Sequence, residues 1–274
     1  RHSFPTRRSS DLHHPESLES YDDATLKLAL RFLPEMMKIM KGKFLKLIWN
    51  FLPEAWMTLS GGIPHLVLLV EFSGQDEHKL DQQVIILKKD LEKFCLKMRA
   101  TKKAEDAEKY WTIRRESFNL LRKHIKGKRT APFIDDVCVE PIHLPKFLPR
   151  LNQILKEAKL TYTIAGHAGN GNFHIIPLMD MKDHHNRALI PILSEKVYDL
   201  VKEFGGSITA EHNDGIVRTP YLNKMFSLEI LNLFKQTKNI FDPQNIFNPG
   251  KKVPLPDSHQ SGSIAYMVGH LAKD

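Results

Sequence analysis

From Thr161 to Pro177 the chain reads TYTIAGHAGNGNFHIIP, two short β-prone segments on either side of a turn holding Gly166, Gly169 and Gly171. Thr161–Ala165 and Asn172–Pro177 are read as strands flanking that turn, and a strand that returns on itself makes an antiparallel neighbour. This feature narrows the fold more than any other. Leu66 to Phe72 and Phe133 to Val139 are further predicted strands, and Ser207 to Thr209 a short one. Apolar residues at helical spacing predict helices over Asp76–Met98, Tyr110–Arg122, Leu144–Leu160 and Ala188–Phe204, the last stopped by Gly205 and Gly206. Asp23 to Phe51 reads as an amphipathic, lysine-rich helix pair broken near Pro34. Strands and helices alternate with hairpin-like returns and no run of parallel crossovers. The expected fold is therefore α+β, a mostly antiparallel sheet covered by helices on one face, with a C-terminal helical segment. No repeat at solenoid spacing is visible. Pro254 to Asp274 carries turn residues and little apolar periodicity and is read as a tail, with 13–253 as the folded domain.

Composition excludes several classes. With 274 residues and 42% hydrophobic content the chain can bury a real core. Its 40 Lys+Arg against 32 Asp+Glu leave a formal charge of +8, which favours anionic ligands, nucleic acid or a membrane surface without choosing among them. Nucleic acid is disfavoured, because no binding motif or aromatic-basic pattern accompanies the charge. Cys95 and Cys138 alone imply no disulfide framework and point to a reducing cytoplasmic setting, with the inner face of the membrane as a peripheral station. The most apolar long stretch, Phe44 to Met57, is interrupted by Lys46, Pro53 and Glu54 and is too short to span a bilayer. RHSFPTRRSSDL at the start fits no signal peptide. From His2 to Leu12 it resembles the translation of a sequencing adaptor, so residues 1–12 are expected to be foreign and the natural frame to continue upstream.

The chemistry gathers at two glycine-framed clusters, GHAGNGNFH (Gly166–His174) and GGSITAEHNDG (Gly205–Gly215). His167 and His174 bracket the first turn, so their imidazoles can converge, and Glu211 could complete a His, His, Glu set for a divalent cation. A hydrogen-bonded turn is the plainer reading. Glu211 and His212 could be ligand and general base, or simply surface charge. His184 and His185, beside Asp183, are expected in an exposed loop. The chain holds no phosphate-binding G-x-x-x-x-G-K-[ST], no G-x-G-x-x-G, no H-E-x-x-H and no G-x-S-x-G.

Three separated segments, GHAGNGNFHIIPL, GGSITAEHNDGIVRTPYL and KNIFDPQNIFNPGKKV, together resemble the C-terminal half of the FAD-linked oxidases of the vanillyl-alcohol oxidase superfamily. The branch they resemble holds D-lactate dehydrogenase, the glycolate oxidase flavin subunit and D-2-hydroxyglutarate dehydrogenase. YWTIRRES and FIDDVCVEP resemble that family's W-x-x-R helix and following strand, and the resemblance runs from about Ile63 to Val253. It implies a ferredoxin-like cap domain in an FAD-dependent oxidoreductase that takes a small D-2-hydroxy acid to its 2-oxo acid, with hydride passing to flavin N5. It further implies His167, His174 and Glu211 as ligands of zinc or manganese. His212 would be the base facing flavin and substrate, Arg114 the clamp on the substrate carboxylate, and Asn248 a flavin-contacting residue.

The chain departs from the family pattern at Asn170, where Asp is usual, and at Ala210, Asn213 and Asp214, where G-E-H-G-x-G is usual. No glycine-rich segment suited to a pyrophosphate precedes residue 60. The N-terminal FAD-binding domain is therefore expected to be missing, and this fragment is expected to bind FAD poorly. The electron acceptor is left open, with a membrane acceptor one use for the basic surface. A flavin-free metal hydrolase, a noncatalytic subunit and an anion-binding or nucleic-acid-binding module are the alternatives.

Overall fold

A computed structural model describes residues 13–31, 62, 64–102, 107, 108, 110–114, 127–255 and 260–273. The stretch read as a sequencing adaptor, most of the helix pair expected after Asp23, and the second half of the expected Tyr110–Arg122 helix lie outside the described residues. The chain divides into two compact units. The first takes in the described residues up to 114 together with Thr163–Asn170, and the second the described residues of Lys126–Tyr162 and Gly171–Asp274.

In the first unit, β1 (Ser17–Asp22) pairs antiparallel with β2 (Leu66–Glu71), Ser17 opposite Glu71 and Asp22 opposite Leu66. Its other edge meets β5 (Thr161–His167), with Ser20 opposite Gly166 and Tyr21 opposite Ala165. Sequence reasoning missed β1. Its SLESYD shows no apolar alternation, because Leu18, Glu19, Ser20 and Tyr21 are all buried. Ser20 Oγ donates to the Gly166 carbonyl at 3.2 Å, and Glu19 is buried against His167 and Arg114. Tyr21 and Ile113 form a small core with Leu26, Val67, Leu69 and Ala165 packed on it. Asp22 turns the chain from β1 into α1 (Asp23–Arg31), its carboxylate accepting from the Thr25 and Ile164 amides at 2.8 and 2.9 Å.

Asp76 caps α2 (Glu77–Leu91) by accepting from the Lys79 amide at 3.2 Å. The helix expected to reach Met98 stops earlier, giving way to a 3-10 turn at Glu92–Phe94 and to Cys95 at φ +51°. Of the apolar face expected on it, Leu87 is buried whereas Ile85 and Phe94 are exposed.

In the second unit, β6 (Asn172–Met179) is the long strand, and it pairs antiparallel with β3 (Arg129–Thr130) and β4 (Val137–Cys138). The structure is thus a mixture of helix and antiparallel sheet, as the hairpin-like returns implied. The strand expected over Phe133–Val139 contracts to β4, because Asp136 adopts φ +65° and breaks the extended run. Ser207–Thr209 likewise reduces to one bridge between Ser207 and Cys138.

Helices α3 (Leu144–Glu157) and α4 (His184–Glu203) pack against each other and bury Phe147, Leu151, Leu155, Val197 and Tyr198. His184 and His185 are exposed as expected, but they open α4 and are not a loop. The Asp183 carboxylate accepts from the His185 amide at 2.9 Å and starts the helix there. A short turn of helix, α5 (Gly215–Arg218), leads through a 3-10 segment to α6 (Leu228–Phe241). The stretch read as a tail is, over Gln260–Lys273, a helix, α7, that packs on α4 with Met267 fully buried. Arg129 donates to the Leu271 carbonyl and ties down its end.

Candidate active site

One acidic dipeptide organises the second unit's polar centre. Asp136 is fully buried, and its left-handed backbone turns its carboxylate toward the segment 209–212. One oxygen accepts from the Asn172 amide at 3.0 Å and the Glu211 N–H at 3.2 Å. The other takes the Thr209 hydroxyl at 3.0 Å and the backbone N–H groups of Ala210, Glu211 and His212 at 2.9, 3.2 and 3.0 Å. Burial alone would raise this carboxyl's pKa; the converging donors outweigh it and lower the value from 3.8 to about 2. Two arms hold the same loop from the far side. Arg218, itself buried, donates through Nε to the Ile208 carbonyl at 2.8 Å and through its terminal nitrogens to the carbonyls of Asn213, at 2.9 Å, and Asp135.

Close approach makes this possible. Gly171 lies at φ +71°, and a Cβ there would come within 1.7 Å of the Val139 carbonyl oxygen. A Cβ on Gly206 would likewise come within 2.3 Å of the Cys138 carbonyl oxygen. Gly171 of the first cluster and Gly206 of the second are thus needed for close backbone approach to Cys138 and Val139.

Glu211 and His212, placed by that clamp, meet His174 from β6. The imidazoles of His174 and His212 stack with centroids 4.9 Å apart and planes 18° apart. On one edge, Nδ1 of His174 lies 3.1 Å from one Asp135 oxygen and Nδ1 of His212 lies 3.3 Å from the other. On the opposite edge, both Nε2 atoms face Glu211 Oε1, at 3.1 Å from His174 and 3.5 Å from His212. His174 is sunk, its side chain 12% exposed, whereas His212 is 49% exposed. Asp136, His174, Glu211 and His212 offer ligand atoms within 4.8 Å of one another, a grouping compatible with a cation. Asp136 is the poorest donor of the four, because its two oxygens already accept five separate donors. The donor atoms left over are the Nε2 atoms of His174 and His212 and Oε1 of Glu211, nitrogen and carboxylate oxygen of the kind zinc or manganese takes.

His167 and Arg114 belong to the first unit. There one Glu19 oxygen is the hydrogen-bond partner of His167 Nδ1 at 2.6 Å, and the other forms an ion pair with Arg114, whose Nε lies 3.3 Å away. Asn248 sits at φ +48° in the turn after α6, where its side-chain oxygen accepts from Lys251 Nζ at 3.1 Å. Of the six residues singled out from sequence, the second unit therefore brings His174, Glu211 and His212 together and sets Asn248 in a separate turn. Sequence reasoning missed Asp135, Asp136, Arg218 and Glu19. The available signal was a pair of aspartates inside the apolar FIDDVCV run, where a buried strand has no use for two charges.

The fold and this site define a class. Residues 9–252 match the family described as FAD linked oxidases, C-terminal domain, and the chain belongs to it. Among curated proteins, it is 29% identical over 204 residues to a D-2-hydroxyglutarate dehydrogenase of Haemophilus influenzae, across 72% of this chain and 20% of that protein. A mitochondrial cytochrome-type D-lactate dehydrogenase of Arabidopsis thaliana is 28% identical, across 68% of this chain and 33% of its own length. The chain thus spans between about a fifth and a third of these relatives' lengths. Among solved structures, an alkyldihydroxyacetonephosphate synthase shares the fold with a TM-score of 0.50 and 16% identity, over 88% of this chain and 41% of that one. Among the described residues, no helix is long and apolar enough to cross a membrane.

Proposed function

We propose that the chain is the substrate-side part of an FAD-dependent dehydrogenase that oxidises a small D-2-hydroxy acid to the 2-oxo acid with help from a divalent cation. The observation that carries this reading is the convergence of His174 Nε2, His212 Nε2 and Glu211 Oε1 on one point. Family membership and the dehydrogenase relatives support the reaction class. D-lactate, glycolate and D-2-hydroxyglutarate fit it equally.

In this reading His174 and Glu211 would hold the cation, with His212 beside them. Bound there, zinc or manganese would supply Lewis acidity to the substrate's C2 hydroxyl. FAD would supply the acceptor for the C2 hydride. His212, four times as exposed as His174, takes the hydroxyl proton at Nε2. Asn248, exposed on its turn, is assigned to the flavin side together with His212. Cys95 and Cys138 are both thiols, which fits a reducing cytoplasmic setting.

The test is metal content of the tag-free chain by elemental analysis, wild type beside His174→Ala, after dialysis against zinc or manganese. Near-stoichiometric metal in wild type and its loss in the variant are expected. A folded wild-type chain that takes up neither metal would overturn the reading.

A further inference from the structure

A neutral imidazole owns one N–H, yet His174 and His212 each lie between two carboxylates. With both rings in the neutral form, two protons serve four N···O contacts, and the geometry decides where they go. Asp135 offers each ring its own oxygen, at 3.1 and 3.3 Å, from a side chain only 12% exposed. Glu211 offers one oxygen to both rings, at 3.1 and 3.5 Å, from a side chain 47% exposed. A carboxylate accepts and cannot donate, so the pair of separate bonds to Asp135 wins both protons. The Asp135 main chain is fixed by Arg218 on its carbonyl, and the next residue, Asp136, is the buried clamp.

We propose that Asp135 is the positioning residue of the site, a single carboxylate that holds both His174 and His212 as Nδ1–H tautomers. Both Nε2 lone pairs then face the Glu211 oxygen. A divalent cation shared by His174 Nε2 and the Glu211 oxygen would relieve the crowding of these lone pairs and leave the His212 Nε2 lone pair to take a proton. Asp135 thus prepares a ligand, His174, and a base, His212, with the same two oxygens. The inference deepens the proposed function and rests on it for the identity of the cation.

The experiment uses the full chain labelled with ¹⁵N-histidine, stripped with a chelator and held near pH 9, above the ordinary histidine range of about 6.5. Long-range ¹H–¹⁵N correlation reads the tautomer of each ring, and His174→Gln and His212→Gln assign the signals. Wild type should show both rings as Nδ1–H. In Asp135→Asn the amide offers one acceptor and one donor group, so one ring should turn over to Nε2–H while circular dichroism stays native. Zinc affinity of the same variant should fall about 10- to 100-fold, the usual effect of removing a carboxylate behind a histidine ligand. An Nε2–H tautomer at either ring in wild type refutes the inference whether or not the variant folds. Two unchanged tautomers in folded Asp135→Asn refute it as well. Failure of the proposed function looks different, because a wild-type chain with both Nδ1–H tautomers and no zinc uptake would overturn that reading and leave Asp135 in its role.

Discussion

Replacing Asp136 by Asn removes one negative charge and leaves the side-chain volume almost unchanged. The carboxyl's depression from 3.8 to about 2, at about 1.4 kcal/mol for each tenfold change in acidity, corresponds to about 2 kcal/mol of stabilisation at neutral pH. The folded-state value lies below the unfolded one, so this stabilisation is complete above pH 3.8 and is lost as the pH falls toward about 2. An Asn also turns an NH₂ group toward donors it cannot satisfy, which adds about 1–3 kcal/mol for a buried amide left without an acceptor. Asp136→Asn should therefore destabilise the second unit by about 3–5 kcal/mol at pH 7. Hydrogen exchange at the amides of Ala210, Glu211 and His212 is the direct assay, since these are the donors released. Even the electrostatic part alone predicts about 30-fold faster exchange where opening is local. Urea unfolding then tests the sign: the gap between wild type and variant should narrow from pH 4 downward. Unchanged exchange at the three amides, or a gap that widens in acid, would refute the account of the clamp.

Three other perturbations probe different parts of the fold. Gly171→Ala drives a Cβ to 1.7 Å from the Val139 carbonyl and should yield no soluble folded chain. Gly205→Ala, at φ +65° with nothing within 4 Å, should fold and cost only about 1–2 kcal/mol for its left-handed backbone, a contrast read by expression and thermal melting. Met267→Ala opens a cavity beneath α7 and should cost about 2–5 kcal/mol, appearing as accelerated proteolysis within Gln260–Lys273. Tyr198→Phe deletes a buried hydroxyl that donates to the Phe133 carbonyl at 2.6 Å, and urea unfolding should register a loss of about 1–3 kcal/mol.

Periodicity was a sound guide wherever a segment buried one face. The strands β2, β5 and β6 and the helices α3 and α4 all lie where apolar spacing placed them, because each sets apolar side chains against a core. It failed where burial is polar. In β1, Glu19 and Ser20 are as deeply enclosed as Leu18 and Tyr21, so no alternation survives. At Phe133–Val139 the apolar run suggested continuous strand, and the two aspartates that interrupt it carry out the local engineering. α7 was hidden by the prolines before it and by Gly262 and Gly269 within it, although the buried Ser263 and Met267 stand one helical turn apart. The site residues were legible as types and as neighbours of glycine. Their supports were not, since a second carboxylate behind a histidine leaves no sequence spacing to find.

The adjacency of Asp135 and Asp136 also limits how this chain can vary. One residue steers imidazole rings and the next grips peptide N–H groups, so a single inserted or deleted residue between Phe133 and Val139 would exchange the two tasks and ruin both. Length variation should be purged from that heptapeptide while substitutions around it drift. Anyone transplanting the supports of the histidine pair onto another scaffold would have to carry 133–139 and 206–218 together, because Asp136 accepts from the N–H groups of Ala210 and His212 and Arg218 donates to the Asp135 carbonyl.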